Sequence, residues 1–174
     1  MLIASYFMHY FTDWNTIGSS SNPCLDTFHG TSPFSENESS AIRDFLSPKG
    51  NTTVGFFTIH SYSQLIMSPY AYQKSKPVDV EDHLRVMSKG TQAIRRATEE
   101  AFAYGSISKV LTQVGGGSPD WAYDALGIKY AFAIEMRDKG NFGFLLPQDQ
   151  IEPANRETWM ALEAMLLEMA KEYI

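Results

Sequence analysis

Two short runs constrain the fold of this chain more than any other feature. Thr53-Val54-Gly55-Phe56-Phe57-Thr58-Ile59 and Lys129-Tyr130-Ala131-Phe132-Ala133-Ile134 are rich in β-branched and aromatic residues. They are apolar at consecutive rather than alternate positions and are short for helices. Such runs suit strands covered on both faces, as in the sheet of an α/β protein. Each ends in a polar group: His60-Ser61-Tyr62-Ser63 closes the first, and Glu135-Met136-Arg137-Asp138 closes the second. Ligands of open α/β sheets gather at the C-terminal edge of the strands. A carboxylate there is costly unless it is paired or functional. His60 and Glu135 are therefore the first candidates for a site, although a lone histidine is also a common structural residue.

The segments around these strands complete an α/β pattern. Residues 16–33 hold the turn formers Gly18-Ser19-Ser20-Ser21-Asn22-Pro23 and Gly30-Thr31-Ser32-Pro33 and read as an irregular loop. Ser35 or Asn37 can cap a short helix reaching Leu46, with Glu36 and Glu38 in its first turn and Pro48-Lys49-Gly50 ending it. Residues 64–69 suit another short strand. Residues 79–104 have helical spacing, with Leu84, Met87, Ile94, Ala97 and Ala101 on one stripe, Gly90 weakening the middle and Gly105 as the stop. The last helix, residues 155–173, places Trp159, Leu162, Met165 or Leu166, and Met169 on a face that packs against the sheet. Gly115-Gly116-Gly117 lets backbone approach something closely, but it lacks the lysine and hydroxyl residue of a phosphate loop. No repeat or linker divides the chain, so one domain is expected.

The net charge of −6 gives no electrostatic reason to bind nucleic acid or an anionic membrane surface. Residues 1–11 are apolar, but they are shorter than a membrane span of about 20 residues and lack the basic region of a signal peptide. No targeting segment is read in them. Cys24 is the single cysteine and has no partner for an internal disulfide. Counted alone it suggests a reducing compartment, whereas the sequons Asn37-Glu38-Ser39 and Asn51-Thr52-Thr53 matter only in a secreted chain.

Several segments, taken in order, resemble the C-terminal half of the zinc metallocarboxypeptidases of the pancreatic A/B type. They are Ser19-Ser20-Ser21-Asn22-Pro23-Cys24 with Phe28-His29-Gly30, then Ile59-His60-Ser61-Tyr62-Ser63-Gln64, then Gly116-Gly117-Ser118 with Asp120-Trp121. Gly127-Ile128-Lys129-Tyr130, Glu135-Met136-Arg137-Asp138 and Gly143-Phe144-Leu145-Leu146-Pro147 follow. The resemblance implies an incomplete three-layer α/β domain with a central mixed sheet flanked by helices. It covers residues 14–174, and residues 1–13 form a divergent start.

The resemblance further implies a zinc-dependent, secreted peptide hydrolase that releases single residues from peptide C-termini. By it His60 is the last zinc ligand, and Glu135 is the carboxylate that activates the metal-bound water. Ser61 and Tyr62 line the substrate cleft. Ile107, Leu111, Val114, Pro119 and Ala133 form the pocket for the terminal side chain, with Met67 and Phe144 nearby. Pro119 stands where a charge would select basic or acidic residues, so an apolar or aromatic terminal residue is expected. The sequence also departs from the family pattern. No histidine is followed three positions later by glutamate, so the other two zinc ligands are absent. Phe7-Met8 stand where an Asn-Arg pair would hold the substrate carboxylate, Thr112 stands at a mobile tyrosine, and the disulfide partner of Cys24 belongs to the family's earlier half. The alternative reading is a non-catalytic fragment or pseudoenzyme that keeps part of a peptide-binding cleft.

Overall fold

The computed structural model describes residues 13–174, which fall into two compact units. The expected divergent start, apart from Asp13, lies outside the described residues, as do Phe7, Met8 and His9. Four strands, β1 (Gly55–Ser61), β2 (Leu65–Ser68), β3 (Ala103–Ser106) and β4 (Tyr130–Met136), share a sheet in the order β1-β4-β2-β3. With α1 (Asn37–Leu46), α2 (Val80–Thr98), α3 (Ile107–Val110), α4 (Ser118–Asp124) and α5 (Ile151–Ala170) they make the expected open mixed sheet with flanking helices. β4 is buried from Tyr130 to Glu135, as its apolar run requires. β1 is only half buried, and its Ile59 is 46 % exposed, against expectation. Strand order explains the difference, because β4 has a strand on either side and β1 stands last among the described strands.

The first unit comprises the described residues up to Thr58 together with Ser68–Pro77 and Ser106–Phe132. Its core is Trp121, Ala122, Ile128 and Ala131, covered by Phe34, Ile42, Leu46 and Phe56. Phe34 meets Trp121 edge-on at 5.7 Å, a geometry that suits the ring quadrupoles. Neither Ser35 nor Asn37 caps α1. Glu36 holds the cap position without a side-chain cap bond, Asn37 is the first helical residue, and the Ser35 hydroxyl donates to Glu36 Oε1 instead. Close backbone approach does occur at the triple glycine. A Cβ on Gly115 would stand 2.2 Å from the Asp13 carbonyl oxygen, and the Gly116 N–H donates to Asp13 Oδ2 at 2.9 Å.

Asp120, on α4, accepts the backbone N–H groups of Ala71 at 2.8 Å and Tyr72 at 3.2 Å. It therefore ties the 68–77 segment to α4. Burial pushes its carboxyl up to about 7, the two N–H groups oppose that rise, and the nearby Asp13 and Asp124 charges add to it.

The second unit comprises Ile59–Met67, Val78–Gly105 and Ala133–Ile174. β2 and β4 pair antiparallel with Leu65 opposite Glu135, Ile66 opposite Ile134 and Met67 opposite Ala133. The expected helix over 79–104 ends at Thr98, where Glu99 turns left-handed at φ 62°. Ala103–Ser106 then enters the sheet as β3, so Gly105 is a strand residue rather than a helix stop. Gly90 serves packing: a Cβ there would lie 2.9 Å from Met165 Sδ and 3.0 Å from Ile66 Cδ1. α5 therefore runs close against α2.

The expected face of α5 is also corrected. Trp159 is 63 % exposed and Leu166 is exposed, while Ala154, Ala161, Met165 and Met169 are buried. The small residues at 154 and 161 allow the helices to approach, whereas the Trp159 indole would hold them apart. Arg85 fastens the pair, donating from Nη1 to Glu168 at 2.6 Å and from Nη2 to Glu172 at 2.7 Å.

Two outcomes are expected. Gly90→Leu overpacks the helix contact and lowers stability in urea by about 1–3 kcal/mol, and Gly90→Ala costs less because the Met165 thioether can move aside. For Asp120, the folded carboxyl titrates above its ordinary 3.8, at about 7. The folded state then binds more protons than the unfolded chain between those values, so this group's contribution is complete below pH 3.8 and is lost as pH rises toward 7. Urea titrations across that window should show Asp120→Asn removing a falling component of up to about 1.4 kcal/mol per pH unit.

Candidate functional site

His60 and Glu135 are the penultimate residues of β1 and β4, strands that neighbour each other in the sheet. The N–H groups of Ser63 and Gln64 both donate to the Met136 carbonyl at 3.1 Å. The chain leaving β1 is thereby tied to the chain leaving β4, so the two strands run out at one edge of the sheet. Two polar residues that follow separate apolar runs are brought to one place. Glu135 is 1 % exposed. Burial lowers the pKa of His60 and so favours its neutral imidazole, the form that can ligate a metal or accept a proton.

Beyond that edge the structure builds a rigid turn. Desolvation acts to raise the Asp138 pKa, but backbone hydrogen bonds from the following turn outweigh it and hold the carboxyl below its usual range. Phe142 N–H donates at 2.8 Å, and Gly140 and Gly143 N–H donate at 3.1 Å each. Glycine at 140 and 143 lets this turn lie against the Tyr62 ring. A Cβ on Gly143, where φ is 59°, would stand 3.2 Å from Tyr62 Cε1. Phe144 then meets Tyr62 edge-on at 5.1 Å and is 54 % exposed. Tyr62 and Phe144 thus form an aromatic step held by the Asp138 turn.

Arg137 fixes the other side of that turn. Its Nε donates to Glu157 Oε2 at 2.9 Å, its Nη2 also bonds Glu157, and its Nη1 bonds Gln150. Hydrogen bonds from Glu157 hold the guanidinium pKa above its ordinary value. A cleft of about 320 Å³ opens here, lined among others by Gln64, Glu100, Arg137, Asp138 and Phe142.

Of the other expected site residues, Ser61 and Tyr62 are half buried at the end of β1, and Ala133 is buried in β4 opposite Met67. Ile107, at the start of α3, and Pro119, in α4, belong to the first unit, where both are buried. Val114 is buried there, Leu111 is 40 % exposed, and Thr112 is exposed. Cys24 is exposed and carries a free thiol. The sequence reading missed the Asp138 turn, though an aspartate followed by glycines two and five residues later is a recognisable turn signal. It also missed the Arg137–Glu157 pair, whose partners lie on separate elements and leave no local pattern.

A catalytic zinc site takes three protein ligands and keeps one open position. Among the described residues no group of three His, Cys, Asp or Glu side chains is arranged to hold a metal ion. His60 and Glu135 suit such chemistry in kind, but the described residues do not by themselves fit a resident zinc.

Residues 7–161 match the zinc carboxypeptidase family. Mouse carboxypeptidase A2 is 48 % identical over 149 residues, a stretch that is 86 % of this chain and 35 % of that protein. Human mast cell carboxypeptidase A is 42 % identical over 150 residues, 86 % of this chain and 36 % of its own length. Among solved structures, bovine thrombin-activatable fibrinolysis inhibitor in complex with tick carboxypeptidase inhibitor superposes with a TM-score of 0.92 at 36 % identity. That superposition covers 96 % of this chain and 57 % of the other. Carboxypeptidase A from Helicoverpa armigera gives 0.85 at 30 % identity, over 95 % of this chain and 42 % of its own. The chain spans about a third of the length of the curated relatives it matches. With a family match over most of its residues and this agreement in fold, the chain belongs to the zinc carboxypeptidase family.

Proposed function

We propose that these residues form one wall of a cleft for a peptide's C-terminus, in a zinc carboxypeptidase working outside the cytosol. In this reading His60 is a metal ligand and Glu135 is the carboxylate beside the reacting group. Ser61, Tyr62, Ala133 and Phe144 contact the peptide. Ile107 and Pro119 enter by family resemblance as walls of the pocket for the terminal side chain. A proline offers no ion pair, so that side chain is apolar or aromatic. The supporting observation is the joint run-out of β1 and β4, which carries His60 and Glu135 to one sheet edge and sets the Tyr62–Phe144 step beyond it.

For the 174 residues alone we propose peptide binding without hydrolysis. The observation that favours this is the absence of any histidine followed three positions later by glutamate, together with the lack of a three-donor cluster among the described residues. No step through zinc is assigned to them. The residues of 14–174 act as the later portion of a catalytic domain, and residues 1–13 act as a separate leader to it.

Two measurements test the proposal. After dialysis from a zinc solution the chain is expected to retain far less than one zinc per molecule, and one tightly held zinc would overturn the binding-only reading. Incubation with an acylated dipeptide ending in phenylalanine is expected to give no product. Hydrolysis that disappears in Glu135→Gln would restore the enzyme. For binding, a peptide with a free C-terminal phenylalanine should lose about 1–2 kcal/mol of affinity on Tyr62→Ala, read by fluorescence anisotropy, with Leu145→Ala as an unaffected surface control.

A further inference from the structure

The chain carries two acceptor motifs for N-linked glycans, and the structure places them in different local settings. Asn51-Thr52-Thr53 lies in the 3-10 turn Ser47–Thr52 that joins α1 to β1. Asn51 and Thr52 are both exposed. The backbone of the turn is firmly set. Gly50 is buried so closely that a Cβ would stand 2.8 Å from the Leu126 carbonyl oxygen, and the Thr53 N–H donates to the Gly50 carbonyl at 3.2 Å. The Thr52 and Thr53 hydroxyls both donate to the Lys49 carbonyl, at 3.0 and 2.9 Å. A sugar on Asn51 would project from a surface turn and displace no packed side chain.

Asn37-Glu38-Ser39 differs at each of its three positions. Asn37 is the first residue of α1, so its backbone is helical. Glycan transfer needs the asparagine amide and the hydroxyl two residues on to meet in a tight local turn, which a helix does not provide. Ser39, the hydroxyl residue, is 4 % exposed and donates to the Glu36 carbonyl at 2.9 Å. Glu38 between them adds a negative charge next to a reaction whose leaving group is itself an anionic diphosphate.

We propose that Asn51 is an N-glycosylation site and that Asn37 is not; the inference rests on the extracytosolic reading given above. The donor class is an oligosaccharide carried on a polyisoprenyl diphosphate. Asn51 Nδ2 forms a bond to C1 of the first sugar, the bond from C1 to the diphosphate oxygen breaks, and the lipid diphosphate departs while Nδ2 gives up one proton. The product is a bulky polar group on the turn that precedes β1. It lies within a stretch where Phe45 is 63 % and Val54 is 42 % exposed, and its hydration offsets the cost of leaving those side chains in water.

The test uses the full chain with a cleavable secretory leader and a C-terminal acceptor tag, translated in the presence of microsomes. Two glycans are expected, one on the tag and one on the chain. Asn51→Gln and Thr53→Ala should each remove one, and Asn37→Gln should remove none. Enzymatic deglycosylation in 18O water should leave a labelled aspartate at position 51. A chain modified only on its tag overturns the proposal, as does a second glycan that survives Asn51→Gln but vanishes in Asn37→Gln. Because the leader supplies entry, these outcomes do not depend on the compartment. Protease protection of the chain without that leader reads the extracytosolic proposal separately.

Discussion

The pairing of Arg137 with Glu157 is the constraint on which the second unit's site depends. Glu157 is fully buried on α5, where an unpaired carboxylate would be costly, and Arg137 meets it with two donors at the point where β4 ends. That bond joins sheet to helix immediately after Glu135. It also sets the direction in which the chain departs, so that Asp138 can collect the backbone N–H groups of the turn behind it. Neither Glu157 nor Asp138 belongs to the expected reacting groups. Together they determine where Glu135, Tyr62 and Phe144 stand.

The buried carboxylates of the chain fall into distinct electrostatic classes. Glu168 is held below its ordinary range by Lys171 and Arg85, and Asp138 by backbone donors, so both remain charged. Asp120 has only two N–H partners against deep burial and two nearby acids, and it moves the other way. Donor number separates the structural anions that stay ionised from the one that takes up a proton. Glu135 sits apart from all of these on a strand whose other residues are apolar, which is the environment a proton-transferring carboxylate needs.

Much of this was legible in the sequence because it was written locally. The two apolar runs, the strand at 65–68 and the existence of α1, α2 and α5 follow from periodicity and breakers over a few residues. The His60 and Glu135 strand ends follow from them too. The errors lie where tertiary contacts decide. Glu99 adopts a left-handed conformation that no cap residue signals, and this ends α2 early and frees Ala103–Ser106 for the sheet. Trp159 fits the apolar spacing of α5 yet faces solvent, because the close helix contact at Gly90 admits Ala161 and Met165 and has no room for an indole. β1 reads as apolar as β4, and only its place in the strand order makes it half exposed.

The same division between local and non-local information explains why family and activity separate here. A strand that ends in histidine, a strand that ends in glutamate and an Asp-Gly turn are each encoded within a few residues, and each persists wherever its segment folds. A metal site is a different kind of object. Its affinity comes from three donors converging within bonding distance, and removing any one leaves the others as ordinary polar residues with strand-end geometry and no bound ion. His60 and Glu135 can therefore keep their positions on the sheet with the chemistry decoupled from them. Peptide recognition tolerates that loss better, because it is spread over many contacts such as the Tyr62–Phe144 step and survives the loss of any single one.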